Sequence, residues 1–203
     1  MRVRGSRTPV RTAAVGVVAV VAAAGLSATV AARGGGTRAG GPLVAPAEHG
    51  FAMPKRVGAV FADGVETLEL TGTKSAVLKK VEVVGTDGLQ VVGVSLVRPG
   101  RKVGTIQVVD GWPPKDPDLR PGDVVTHGIG ARFTPTRSNP LEQSYELLVG
   151  LRVAKAGYLV RDGLRVTYSV DGIDYQRYFP AQLVVCTSER HLLGDGSCPI
   201  PGE

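Results

Sequence analysis

The chain has 203 residues, with 24 lysines and arginines against 18 aspartates and glutamates, and a formal net charge of +6 at pH 7. Six of the basic residues lie in residues 1–50 beside one acidic residue, Glu48, so residues 51–203 carry a net charge of only +1. The basic excess therefore belongs to the N-terminal segment, and no basic stripe is interleaved with aromatic residues. This distribution argues against a nucleic-acid-binding protein.

An uncharged segment, residues 12–32, begins at Thr12 and ends at Ala32. As a helix its twenty-one residues would measure about 31 Å, which matches the roughly 30 Å hydrocarbon core of a bilayer. It is rich in Ala and Val, and it is preceded by four arginines and followed by one: Arg2, Arg4, Arg7, Arg11 and Arg33. The segment predicts membrane contact, with residues 1–11 as a basic cytoplasmic region and the rest of the chain outside.

The same pattern describes a signal peptide. A basic start, an apolar centre and small residues at positions 30–32 offer a cleavage site, so a transmembrane anchor and a cleaved signal stay open as alternatives. Both alternatives export the remainder, either as a single-pass membrane protein or as a secreted one.

Residues 33–50 are rich in Gly and Pro and show no helical or strand period, which predicts a linker. His49 lies in this stretch, and we expect an ordinary solvated loop histidine there rather than a ligand. Residues 51–203 then suffice for one domain with its own core.

That domain has the pattern of short strands. Apolar runs of five to nine residues, rich in Val, Leu, Thr and Ile, alternate with turn pairs such as Asp87-Gly88 and Asp110-Gly111. The main predicted strands span residues 57–61, 76–84, 89–97, 103–109, 145–153, 164–170, 173–179 and 181–185. Asp171-Gly172 between two alternating runs predicts a two-residue hairpin. The expected fold is an all-β, immunoglobulin-like antiparallel β-sandwich of about eight strands.

One long segment interrupts the strands. Trp112 opens a stretch with prolines at positions 113, 114, 117 and 121, which remove backbone donors and predict a crossover loop. We expect Trp112 to pack against this loop or the core rather than to serve as an exposed contact.

The chain has two cysteines, Cys186 and Cys198, both in the part expected to be exported. An even count in an oxidising compartment predicts a disulfide, which would attach the C-terminal tail to the last strand. A metal site made by the two cysteines and His191 lacks a fourth ligand, and two free thiols are the remaining alternative.

Residues 182–187, which carry Cys186, resemble the strand-borne cysteine segment of sortase transpeptidases, with His127 upstream as a partner. The resemblance would imply a thiolate nucleophile, but the residue before Cys186 is Val185 where that family has Thr. The Gly-His-Arg context of the histidine and an arginine on a following strand are also missing.

No other chemistry stands out. The three histidines His49, His127 and His191 are dispersed, and no nucleophile elbow, phosphate loop or metalloprotease motif occurs. Six aspartates precede glycine, where turn chemistry explains them, so no carboxylate pair is predicted: Asp63, Asp87, Asp110, Asp162, Asp171 and Asp195. We therefore predict no catalytic, cofactor-binding or metal-binding residues, no cofactor, and a protein that is not an enzyme.

The layout of an arginine-led apolar segment, a Gly-rich linker and a run of strands ending in a Cys-Pro tail resembles that of small exported proteins of high-GC actinobacteria. The resemblance implies a secreted or single-pass β-sandwich and carries no activity with it. We expect a non-catalytic interaction or accessory module of the cell envelope with a protein partner. The alternative is a module that binds a small molecule, a metal or a glycan.

Overall fold

The structure is a computed structural model that describes residues 36–100, 108–115, 119–120, 122–125, 127–135, 144–188, 191–193 and 197–199. The apolar segment from Thr12 to Ala32 and most of the strand predicted at 103–109 lie outside these residues. Among the residues described, no helix is long and apolar enough to cross a membrane.

The described part of the chain is all-β, as the sequence predicts, and contains no α-helix. It forms thirteen strands, of which β1, β7 and β8 are two residues long. The strands are β1 (Arg38–Ala39), β2 (His49–Pro54), β3 (Val60–Leu68), β4 (Ala76–Val84), β5 (Leu89–Val97), β6 (Val108–Asp110), β7 (Val124–Val125), β8 (Arg132–Phe133), β9 (Tyr145–Val153), β10 (Tyr158–Arg161), β11 (Gly163–Val170), β12 (Ile173–Phe179) and β13 (Ala181–Cys186).

These strands form three sheets with the orders β1-β12-β11-β4-β8, β10-β13-β2 and β6-β3-β9-β5-β7. Most pairs are antiparallel, but β1 runs parallel to β12 and β2 runs parallel to β13. The sheets are therefore mixed, and the prediction of an antiparallel fold with about eight strands is wrong in both respects. The additional strands are short or come from the predicted linker, where no alternation of apolar and polar residues indicates a strand.

One hydrophobic core joins all three sheets, because its members come from β3, β5 and β9, from β4, β11 and β12, and from β13. The alternating residues of β9 supply one side of it, and those of β11 supply the other. This is the pattern expected when sheets bury one face each.

A long hairpin connects two of the sheets. Strands β11 and β12 pair across Asp171 and Gly172, whose φ angles of 51° and 76° are those the predicted tight turn requires. Further from the turn the two arms of the hairpin continue as β10 and β13 in the three-stranded sheet. The step between the sheets falls at Asp162 and at Pro180, which has no N–H to offer a ladder.

Three strands contain a β-bulge, in which one extra residue faces the partner strand. In β3 the interval from Asp63 to Glu66 lies opposite the shorter interval from Val149 to Leu147. Similar shifts occur in β4 and in β5. Each bulge reverses which residues point inward, so the alternation read from the sequence fails beyond it.

Much of the predicted linker is part of the folded unit. Residues 38–39 and 49–50 lie in strands, and Leu43 is buried. The Leu43 N–H donates a hydrogen bond of 3.0 Å to the Tyr168 hydroxyl, which in turn donates to the Gly40 carbonyl at 2.8 Å. The Gly- and Pro-rich composition of the segment does not indicate this packing, because only a few of its residues contact the rest of the domain. Residues 38–39 and 49–50 thus pair with strands of the predicted domain.

Candidate functional site

The parallel pairing of β2 with β13 brings the C-terminal ends of both strands to one edge of the three-stranded sheet. A cleft of 640 Å³ opens there, which we name the C-edge cleft. Its walls come from the end of β2, the start of β3, the end of β6 and the segment after β13. The lining residues are Pro54, Lys55, Arg56, Ala59, Val60, Asp110, Cys186, Thr187, Ser188 and Leu192.

Lys55 forms a fixed wall of the C-edge cleft. Its Nζ lies 2.5 Å from Asp110 Oδ1 and 5.5 Å from the centre of the Phe61 ring. Both contacts restrain the ammonium group, and the Asp110 carboxylate supplies a counter-charge for it. Lys55 therefore shapes the cleft more than it attracts a ligand.

Arg56, the next residue, differs from Lys55 because no described residue forms an ion pair with it. It lies in the turn that leads to β3, where the Ala59 N–H donates a hydrogen bond to the Arg56 carbonyl. Two exposed apolar side chains, Val57 and Leu193, lie next to residues that line the cleft, and each is 52% exposed. The cleft thus combines apolar surroundings with a positive charge that no described carboxylate neutralises.

Cys186 of the cysteine pair also lines the cleft. Cys186 and Cys198 lie at disulfide distance, with their Cα atoms 5.8 Å apart, which is the pairing expected from the sequence. The Tyr158 hydroxyl also donates a hydrogen bond of 2.8 Å to the Pro199 carbonyl. Together these contacts hold the C-terminal segment against the face of β10 and β13 that points away from the main core.

The structure separates the two residues of the sortase-like pattern. Cys186 is buried beside Cys198 in the C-edge cleft, whereas His127 lines a different cleft on β5. His191 lies near the cysteines, and its Nδ1 is 3.0 Å from the Ser188 hydroxyl oxygen. In the described part of the chain, no group of three His, Cys, Asp or Glu side chains is placed to hold a metal ion.

A cluster of charged side chains lies inside the protein. Arg161 is fully buried, and its Nη1 pairs with Asp63 Oδ2, while its Nε donates a hydrogen bond of 3.0 Å to the Ala181 carbonyl. Glu66 is also buried, and its Oε1 lies 3.1 Å from Nε2 of His49. We name these four residues, His49, Asp63, Glu66 and Arg161, the buried charge cluster.

The bulge in β3 creates this cluster. With strict alternation Asp63 and Glu66 would point to opposite faces of the sheet. The extra residue between them turns both carboxylates toward the side where β2 and β10 lie. Burial raises the pKa of Glu66 and the nearby Asp63 raises it further, while His49 and Arg161 act in the opposite direction.

Two sequence expectations fail at this cluster. The sequence predicts a turn at Asp63-Gly64, but this pair lies within β3, at the bulge. The sequence also predicts a solvated loop at His49, but this residue begins β2 and contacts Glu66. Glu66 and Arg161 carry no sequence signal, because a single charge in an apolar strand can equally mark the solvent face.

A second cleft of 540 Å³, the Trp112 groove, lies on the outer face of the sheet that contains β5. A Cβ atom added at Gly93 would overlap Trp112 Nε1, and one added at Gly150 would overlap Trp112 Cδ2. The indole thus lies directly on two glycines of neighbouring strands. This is the packing role expected for Trp112.

Comparison with known proteins gives no identification. No protein-family model, no curated protein and no solved structure matches the chain.

Proposed function

We propose that the protein is a non-catalytic binding module of the cell envelope, and that its C-edge cleft holds an acidic, extended segment of a partner protein. The observation that carries the proposal is Arg56, a cation without an ion pair among the described residues, at a cleft of 640 Å³. A carboxylate of the partner would supply the missing counter-charge.

The surroundings of Arg56 fit a polypeptide. Thr187 and Ser188 bring hydroxyl groups to the same cleft, and Pro54, Val60 and Leu192 give it apolar lining. Apolar contacts around a few polar groups are typical of surfaces that bind peptide segments. The disulfide supports this role, because it keeps one wall in place before the partner arrives.

The envelope location rests on the sequence. Residues 12–32 form the proposed transmembrane or signal helix, and the arginines before them place the described domain outside the membrane. An immunoglobulin-like sandwich is the fold we propose for that domain, supported by facing antiparallel strands with a shared core. Intact mass of the mature protein with and without reductant will report signal cleavage and the cysteine bond together.

An Arg56→Glu variant tests the binding role. Partners captured from envelope extracts by the wild-type protein would be purified and titrated against wild type, R56E and an R165E control. Arg165 is exposed on β11 and does not line the cleft, so R165E makes the same charge change elsewhere. We expect R56E to weaken binding at least tenfold, because a hydrogen bond to a charged group contributes about 1.5–3 kcal/mol.

Equal affinity of all three proteins would contradict the use of the C-edge cleft. Recovery of nothing specific at both low and high salt would contradict the interaction role itself.

The volume of the C-edge cleft also fits the alternative function, a module that binds a small molecule or a glycan. Pockets for such ligands commonly measure about 300–1,000 Å³. Calorimetry against wall fragments and metal ions tests this alternative, and R56E again serves as the variant that should lose any anionic ligand.

A further inference from the structure

The contact between His49 and Glu66 is favourable only if one of the two side chains carries a proton at the point of contact. His49 Nδ1 lies 3.1 Å from the Ala47 carbonyl oxygen, and a carbonyl only accepts hydrogen bonds, so Nδ1 carries hydrogen. In the neutral ring with this tautomer Nε2 is an acceptor. An ionised Glu66 carboxylate is an acceptor too, and two acceptors at 3.1 Å in a buried position repel each other.

We propose that His49 and Glu66 bind one proton between them, and that this proton fastens the N-terminal end of β2 to the body of the protein. The proton has two possible positions: on Nε2, which gives an imidazolium–carboxylate pair, or on Glu66, which then donates to Nε2. Both arrangements convert the repulsive contact into an attractive one.

The charges around Glu66 favour the binding of one proton by the pair. It is faced by His49 from β2, by Asp63 from its own strand and by Arg161 from β10. Arg161 and Asp63 cancel each other, so the cluster is neutral with one shared proton and carries a buried negative charge without it. An uncompensated buried charge is strongly unfavourable. The raised pKa of Glu66 agrees with a proton that stays in the cluster.

The strand that the proton fastens is an edge strand. Among the described strands β2 pairs only with β13. The ladder begins weakly, since the His49 N–H donates to the Pro180 carbonyl at 3.3 Å, and it ends at Lys55, whose N–H donates to the Cys186 carbonyl at 3.0 Å. The contact of His49 with Glu66 therefore strengthens the attachment of β2 at the end where its hydrogen-bond ladder is weak.

The direction of the pH effect follows from where the proton is held more tightly. In the closed protein the pair retains its proton, whereas in a detached β2 both groups are exposed to water and release it more easily. Attachment of β2 is therefore strongest between about pH 4.3 and about pH 6.5, the ordinary pKa values of Glu and His, and weakens above this range as the detached form loses the proton. From there until the closed pair itself titrates, the open fraction grows about tenfold per pH unit, because the two states differ by one proton, and above that point it stays constant.

Nuclear magnetic resonance of the wild-type protein tests the proton directly. The ring nitrogens of His49 and the carboxyl carbon of Glu66 would be followed from about pH 6 to about pH 10, which spans the ordinary pKa of histidine and the range above it. We expect the two residues to report one common step, with a protonated Nε2 or a protonated Glu66 below it. Ionised Glu66 beside an unprotonated Nε2 at neutral pH would overturn the proposal.

Hydrogen exchange of the β2 amides tests the consequence. In Glu66→Gln the amide N–H₂ donates permanently to Nε2, so no proton needs to be bound. We expect β2 exchange, corrected for its intrinsic pH dependence, to rise about tenfold per pH unit in wild type from about pH 6.5 until the closed pair titrates, and to stay flat in E66Q.

Glu82→Gln makes the same chemical change in an exposed pair with Lys80 and should follow wild type. The same slope in E66Q as in wild type, or no slope in wild type across the whole range, would refute the role of the proton. If E66Q does not fold, the wild-type resonance experiment still decides.

Discussion

The two faces of the sheet that contains β3, β9 and β5 are stabilised by different kinds of interaction. Its inner face contributes to the shared core and also carries two carboxylates, Asp63 and Glu66, which need Arg161 and His49 to be tolerated. Its outer face carries a smaller hydrophobic cluster around Leu148, in which the Trp112 indole lies on two glycines. Charge compensation stabilises the inner face. On the outer face, close packing of the indole is possible because the two glycines have no side chains.

This difference has an energetic meaning. A buried charge pair depends on both partners, so removing one leaves the other without compensation. The Trp112 contact depends on shape alone, and its cost when disturbed is the smaller one of overpacking. The inner face should therefore be much more sensitive to a single substitution than the outer face.

Arg161→Met is the substitution with the largest expected effect. It leaves Asp63 buried without a counter-charge, and breaking a buried ion pair typically lowers the free energy of unfolding by about 3–5 kcal/mol. Urea denaturation at neutral pH measures this loss. Lys74→Met, which removes an exposed ion pair with Asp171, is the control and should leave the midpoint unchanged. An R161M midpoint equal to that of wild type would mean that the buried cluster is not compensated as described.

Gly150→Ala tests the outer face. The new Cβ would overlap the indole ring at Trp112 Cδ2, and overpacking costs about 1–3 kcal/mol. Trp112 is the only tryptophan, so its fluorescence should shift to the red as the ring moves into water. Gly36→Ala is the matched control, since no atom lies within 4 Å of the position its new methyl group would take. Unchanged emission in G150A would argue against the stacked indole.

Tyr168→Phe probes a neutral polar group in the facing sheet and should have the smallest effect, about 1 kcal/mol. It removes the hydroxyl that binds Leu43 and Gly40, so residues 40–43 should become accessible to proteolysis. Limited digestion with analysis by mass spectrometry measures this change. Digestion identical to that of wild type would show that other contacts hold the segment.

Tyr168 also has a pH signature. Burial raises the pKa of its hydroxyl, so the folded protein holds this proton more tightly than the unfolded chain. The corresponding stability is fully present below about pH 10, the ordinary value for tyrosine, and is lost as the pH rises through the folded-state pKa. Y168F should lack this alkaline component when unfolding is measured across about pH 9–11.

The positions of four long strands follow closely from the sequence, whereas the strand predicted at 57–61 shares only two residues with β3. The bounds predicted for β4, β5, β9 and β12 are those observed, because long apolar runs ended by turn pairs mark them clearly. The hairpin at Asp171-Gly172 has an equally clear signal. The cysteine pair is predicted from the even count of cysteines and from the expected export.

The candidate site is less predictable for physical reasons. A bulge adds one residue without a compositional mark, so the inward turn of Glu66 cannot be seen in the alternation of β3. Arg161 and Asp63 are 98 positions apart, and only the folded topology joins them. The C-edge cleft depends on the parallel pairing of β2 with β13, which short-range patterns do not report.

That parallel pairing also sets an order of events during biosynthesis. The strand β2 must wait for β13, and such non-local pairing is slow because a long loop has to close first. The cleft consequently does not exist on a nascent chain, however much of the rest has folded. Only a polypeptide completed through β13 can present it, so partner binding would report that synthesis has passed this strand.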